Sequence, residues 1–192
     1  MSPVTHTLLA INFAVFALQI LVGGPIETPF ALWPLDHGFL PWQIVTSAFL
    51  HAGLLHIATN MFGLWMFGRE VEYAVGSNRF LWLYLLSVVA ASVTQLVVTT
   101  LTGSIYPTVG ASGGLFGVLA AFAMLFPRRI IMLLIPPIPL PARVFVLLYA
   151  ALELYFGVTE TQAGIAHFAH LGGLVGGYFV VRRWRRPRHY ER

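Results

Sequence analysis

Seven polar residues stand within or at the ends of strongly apolar runs, and their types could do chemistry: His51, His56, Asn60, Ser112, Glu153, His167 and His170. Such groups cost free energy in an apolar setting, so each is a candidate for function. Ser112 lies in "YPTVGASGGLFGVLAAF", a lone hydroxyl among glycines at the mouth of an oily helix. A serine hydroxyl is a poor nucleophile until a base takes its proton, which calls for a neutral imidazole within about 2.6–3.2 Å. Each residue also has a plainer reading. Serine and glycine at a helix start make a cap and a packing seam. His167 and His170, three residues apart, are polar glue between helices, and His51, His56 and Asn60 form an interhelical hydrogen-bond network. Glu153, near the outer end of its run, snorkels to the interface or pairs locally. Joint occurrence at one depth is what favours chemistry.

The elements that must position these groups are membrane helices. Of 192 residues, 58% are hydrophobic and 9% charged, against about 45–50% and about 25% in soluble domains. Six apolar runs, at about 7–23, 44–68, 80–101, 112–126, 142–158 and 163–181, each have roughly the length of a bilayer core at about 1.5 Å per residue. The expected architecture is an all-α membrane protein with one domain over 1–192, ending in a basic tail at 182–192. The first run lacks a basic start and a small-x-small cleavage site and carries Asn12 and Gln19, so it reads as a retained helix.

Six alternating spans put both ends of the chain on one side, and every one of the eleven positive charges, all arginine, falls there. By the positive-inside rule that side is cytoplasmic. The other side keeps Glu27, Asp36 and Glu160. Exclusive use of arginine hints at a bacterial genome, hence a bacterial inner (plasma) membrane. The outer connection from Gly24 to Gln43, with two tryptophans and four prolines, reads as a segment lying in the outer leaflet. The proline-dense "IPPIPLP" on the arginine side cannot continue a helix.

Counting residues to the arginine-bearing ends places Ser112 about 21 Å deep and His56 and His170 about 16 Å deep, within a turn of one another. The fourth run is too short to reach the outer surface, so irregular backbone before Ser112 must dip inward and a wet cavity is implied. Gly113, Gly117 and Ala121 repeat every four residues, as do Gly173 and Gly177, the pattern of closely approaching helices. His170 shares a face with Gly173 and Gly177.

Other active-site patterns fail. "GASGG" fits G-x-S-x-G literally, but no aspartate follows at hydrolase order and no parallel-sheet pattern surrounds it. There is no cysteine. The four histidines lack an H-E-x-x-H or a carboxylate at ligand spacing, so no metal and no cofactor is expected. No phosphate cradle or nucleic-acid face is present.

Three motifs in order carry a resemblance. "HAGLLHIATN" (51–60), "GASG" (110–113) and "AHLGGLVGG" (169–177), with "EYAVGS" (72–77), resemble the H-x4-H-x3-N, G-x-S-G, A-H-x-x-G-x-x-x-G and E-x-x-x-G-S signatures of the rhomboid family of intramembrane serine proteases, in its six-helix core form. The resemblance covers essentially the whole chain. It implies a dyad with no third acid, Ser112 as nucleophile and His170 as base. His56, Asn60 and the Ser112 backbone N–H would form the oxyanion hole, with Gly110, His51, Glu72, Gly173 and Gly177 in support. It implies transmembrane protein substrates within the lipid bilayer; the oligomeric state is left open. The alternative is a catalytically silent rhomboid-like protein that binds membrane clients. Trp42-Gln43 replaces the family's frequent Trp-Arg, which puts one contact of the outer loop in doubt. A swap of His167 for His170 is left open by spacing alone.

Overall fold

The computed structural model describes residues 2–133, 136–160 and 164–184. Six main helices follow the apolar runs. They are α1 (Pro3–Val22), α2 (Leu54–Val75, with a π-type turn at Leu64–Gly68), α3 (Ser77–Thr102), α4 (Ser112–Leu125), α5 (Ala142–Thr159) and α6 (His167–Arg183). The proline-dense connection contains a two-stranded antiparallel hairpin, β1 (Ile130–Met132) with β2 (Pro139–Pro141), in which Ile131 faces Leu140. Ala163, expected to open the last span, and the tail from Arg185 lie outside the described residues.

The second run departs from expectation. It is not one helix over 44–68: a short helical segment, Gln43–Phe49, meets α2 at 97°. Gly53, fully extended at φ 166° and ψ 176°, immediately precedes α2. The non-helical backbone at this corner is satisfied from α1. Gln19 Oε1 accepts from the His51 N–H at 2.9 Å, and its Nε2 donates to the His51 carbonyl at 3.1 Å. His51 therefore sits in the corner before α2 and not on the helix that carries His56.

The expected count of six spans is also not reached by length and apolarity. Among the described residues α1, α3 and α5 suffice to cross a membrane, and a fourth span is gained if the bent pair counts as one. With 14 and 17 residues, α4 and α6 extend about 21 and 26 Å, short of a core of about 30 Å. The outward faces of the long helices are apolar, with Leu21 and Leu101 each 81% exposed, a surface that lipid solvates and water does not.

One end of the bundle gathers the charged groups. The buried Glu72 carboxylate, near the end of α2, accepts from the backbone N–H groups of Val4 and Thr5 at 2.9 and 2.8 Å and from the hydroxyls of Thr5 and Ser77 at 2.7 Å. It thereby caps α1 and joins it to the start of α3. Arg129, beyond α4, pairs with Glu70 of α2 at 2.7 Å, and Arg79 of α3 lies over the Trp184 ring just past α6.

The centre is α4, whose glycines and alanines let neighbours touch its backbone. A Cβ on Gly173 would strike the Gly113 carbonyl, and one on Gly177 would lie 2.5 Å from Gly117 Cα. On the third side, Gly114 faces the Tyr84 ring, while Gly172 and Gly176 of α6 face Thr94 and Ala90 of α3. Three helices thus pack through small residues, which maximises dispersion contact where lipid competes equally for apolar surface. Replacing Gly177 by Val should cost about 1–3 kcal/mol through overpacking. Thermal melting in detergent is expected to drop for that variant and to stay unchanged for Gly24→Ala, whose added methyl meets nothing within 4 Å.

Candidate active site

Ser112 is the first residue of α4. Its loop is lashed in place: Leu32 and Thr108 exchange backbone hydrogen bonds at 3.0 and 2.9 Å, and the Gly110 N–H donates to the Ser47 carbonyl at 2.9 Å. Gly110 adopts φ 131°, a conformation that L side chains rarely hold. A Cβ there would also lie 2.7 Å from Cε1 of His56 and 3.6 Å from Ser112 Oγ. The missing side chain is what allows the His56 ring to sit beside the serine loop.

Close packing of α4 on α6 brings His170 to Ser112. His170 Nε2 is 2.8 Å from Ser112 Oγ, across 58 residues of chain. Its ring is stacked on Phe116, one turn along α4 from the serine, with centroids 4.5 Å apart and planes 6° apart. His167 is not the serine's neighbour. It is buried at the start of α6, and its Nδ1 is 2.7 Å from Glu153 Oε2.

Glu153, set aside in the sequence as a snorkelling group, is 5% exposed and points inward. Its Oε2 is 2.7 Å from His167 Nδ1 and 2.9 Å from His170 Nδ1. The chain therefore places a carboxylate directly behind the imidazole that faces Ser112. Among the described residues these three also form the one set of His and carboxylate groups whose ligand atoms all lie within 4.8 Å of one another. The Nδ1 nitrogens of both rings are engaged by the carboxylate, while His167 Nε2 is buried without a partner among the described residues.

The remaining residues are arranged more loosely. His56 Nδ1 accepts from the Ala52 N–H at 3.3 Å, which leaves the proton of a neutral ring on Nε2, the nitrogen beside Gly110. Asn60 is buried and spends one amide hydrogen on the His56 carbonyl at 2.9 Å; its second remains to be given. His51 packs edge-on against His56, centroids 5.1 Å apart, and both its ring nitrogens are buried without a partner. Glu72 and Gly177 act on the fold, as above, and Gly173 packs against Gly113, the residue after the serine. Gln43, the departure from Trp-Arg, is fully buried and organises the outer loop: its Oε1 accepts from the N–H groups of Trp33 and Leu40 at 3.2 and 3.1 Å, and its Nε2 donates to the Pro29 and Gly38 carbonyls at 3.4 Å. Sequence reasoning missed Phe116, although its spacing of four from Ser112 puts it on the serine's helical face.

Residues 39–186 match the family profile of the Rhomboid domain. Rhomboid protein 1, mitochondrial, of Saccharomyces cerevisiae is 35% identical over 182 residues, covering 93% of this chain and 52% of that protein. Rhomboid protease GluP of Bacillus subtilis is 30% identical over 185 residues, 92% and 34% of the two chains. Presenilin-associated rhomboid-like protein A, mitochondrial, of Danio rerio is 32% identical over 139 residues, 72% and 36%. The chain thus spans between about a third and about half the length of these relatives. The mitochondrial names among these relatives overturn the placement in a bacterial plasma membrane, and with it the cytoplasmic assignment of the termini.

A Gly110→Ala change must move either the loop or the His56 ring. The variant is expected to stay folded and to lose most of the reactivity of Ser112 toward a fluorophosphonate; undiminished labelling would show that the loop relaxes freely.

Proposed function

The chain belongs to the rhomboid family, generally intramembrane serine proteases, and from that premise we propose that it is a serine endopeptidase cutting other membrane proteins in or near their transmembrane segments. The observation that carries the reading is the 2.8 Å contact between Ser112 Oγ and His170 Nε2 at the start of a buried helix. On this reading the six helices form one rhomboid-like domain, 1–192, with both ends on the arginine-bearing side, and α4 and α6 reach across the bilayer only with the loops that precede them.

His170 takes the hydroxyl proton as Ser112 Oγ bonds to the scissile carbonyl carbon, then returns it to the amine that leaves. The first N–H groups of a helix have no intrahelical acceptor and carry the positive end of its dipole. The Ser112 N–H is therefore available to the developing oxyanion, joined by His56 Nε2 and the second amide hydrogen of Asn60. A substrate helix must unwind to present its backbone, because a carbonyl held in an intact helix is both bonded and shielded. Helix-destabilising and small residues near the cut favour that step.

The rival reading is a silent client-binding member of the family. Client binding would need neither a base at hydrogen-bond distance from Ser112 nor a loop shaped around His56. Purified protein is expected to take up a fluorophosphonate at Ser112, seen by mass spectrometry, with no uptake in Ser112→Ala or His170→Ala. Cleavage of a reconstituted transmembrane substrate should vanish in both, and His56→Ala should lower kcat by about 10²–10³. Folded wild type that neither labels nor cleaves would leave client binding as the function.

A further inference from the structure

Glu153 is a carboxylate on a helix whose other faces are apolar, and a charge so placed persists only with partners. It has two, both imidazole nitrogens, on a single oxygen: His167 Nδ1 at 2.7 Å and His170 Nδ1 at 2.9 Å. An ionised carboxylate can only accept, so each bond requires the proton of its ring to be on Nδ1. For His170 the lone pair then lies on Nε2, 2.8 Å from the serine oxygen. This is the tautomer that can accept the hydroxyl proton. The opposite tautomer would set two lone pairs against each other at Nδ1 and Oε2. Phe116 holds the ring plane by stacking, and the carboxylate holds its rotation.

We propose that Glu153 is a positioning residue for the reaction of Ser112 and His170, so that the site works as a serine, histidine and glutamate relay of orientation with His167 as the second clamp on the carboxylate. The inference rests on the protease reading above. As Ser112 Oγ bonds to the substrate carbon, its proton goes to His170 Nε2 and the carbonyl electron pair moves to oxygen. The new imidazolium then lies against an ionised Glu153, which keeps its charge and takes no proton. When the carbon–nitrogen bond breaks, the Nε2 proton leaves with the amine and Ser112 keeps the acyl group; His170, neutral again, takes a proton from the water that attacks this ester and returns it to Ser112 Oγ as the acid is released. His167 supplies the other N–H to Oε2, so the carboxylate cannot turn away from His170 without losing a buried hydrogen bond.

The test compares the wild-type chain, Glu153→Gln and Glu153→Asp in detergent micelles. Fluorophosphonate labelling and cleavage of a transmembrane peptide give kcat and KM, and histidine nitrogen NMR reads which His170 nitrogen carries the proton. The expected wild-type spectrum has Nδ1 protonated and Nε2 bare. Glu153→Gln should fold, mix the two tautomers, and lose up to about 10⁴ in kcat, with KM changed by less than about threefold. Glu153→Asp, one methylene shorter, should restore the Nδ1 proton and part of the lost kcat. The inference is overturned if Glu153→Gln keeps kcat within about threefold of wild type, or if the His170 tautomer is the same in both. An inert wild type with His170 still protonated at Nδ1 would instead bring down the protease reading, and the catalytic role of Glu153 with it.

Discussion

The backbone contact between α4 and α6 is the constraint on which the rest of the molecule depends. Gly173 meets Gly113 and Gly177 meets Gly117 with no side chain between them. Because Gly113 follows Ser112 directly and His170 precedes Gly173 by three residues on the same face, this contact is what sets the imidazole against the hydroxyl. Neither helix is long enough to define its own place in a bilayer. Their position comes from α3, which packs Ala90 and Thr94 against Gly172 and Gly176, and Tyr84 against Gly114. The Ser112–His170 geometry is thus inherited from van der Waals packing of small residues, and the polar groups are carried to their places by it.

Those polar groups are then satisfied locally, in pairs of helices. Gln19 of α1 closes the backbone at the His51 corner, Gln43 closes the outer loop on itself, and Glu153 of α5 receives two histidines of α6. Each is a buried hydrogen-bonding group whose loss would leave its partners unpaired in a low-dielectric interior. Among the described residues the exceptions are His51, with both ring nitrogens unpartnered beside His56, and single atoms of Asn12, Tyr84 and His167. A centre surrounded by such clasps suits the proposed reaction, in which Ser112 and His170 hold their places while a substrate segment unravels beside them.

Much of this was legible from residue spacing. The glycine repeats named the seam, the matched depths named His56, Ser112 and His170, and the proline-dense connection excluded a helix where a hairpin stands. What was not legible depends on pairings between elements. The 97° corner before α2 is invisible to hydropathy, since Gln43–Phe49 and Leu54–Val75 are apolar on both sides of it. Glu153 was singled out as an intramembrane carboxylate, yet position along its own run placed it near an interface. Only the packing of α5 on α6 turns it inward, and no period within one helix encodes that. Gln43 looked like the loss of an arginine contact, whereas its amide serves both as donor and as acceptor and replaces a charge with four hydrogen bonds.

The Glu72 carboxylate has a consequence for how the chain comes together in time. The amides of Val4 and Thr5 find their acceptor 68 and 67 residues later in the chain, which at about 5–20 residues per second is on the order of 10 s of synthesis. Until then those two amides, at the start of α1, lack the acceptor that caps them in the finished fold. Arrival of Glu72 and Ser77 closes that end just as α3 begins, so the first helix is locked last among the contacts it makes with the second. The first turn of α1 is thus capped by a group that the chain supplies only after the second helix is made, which makes that turn a reporter on whether the two have docked.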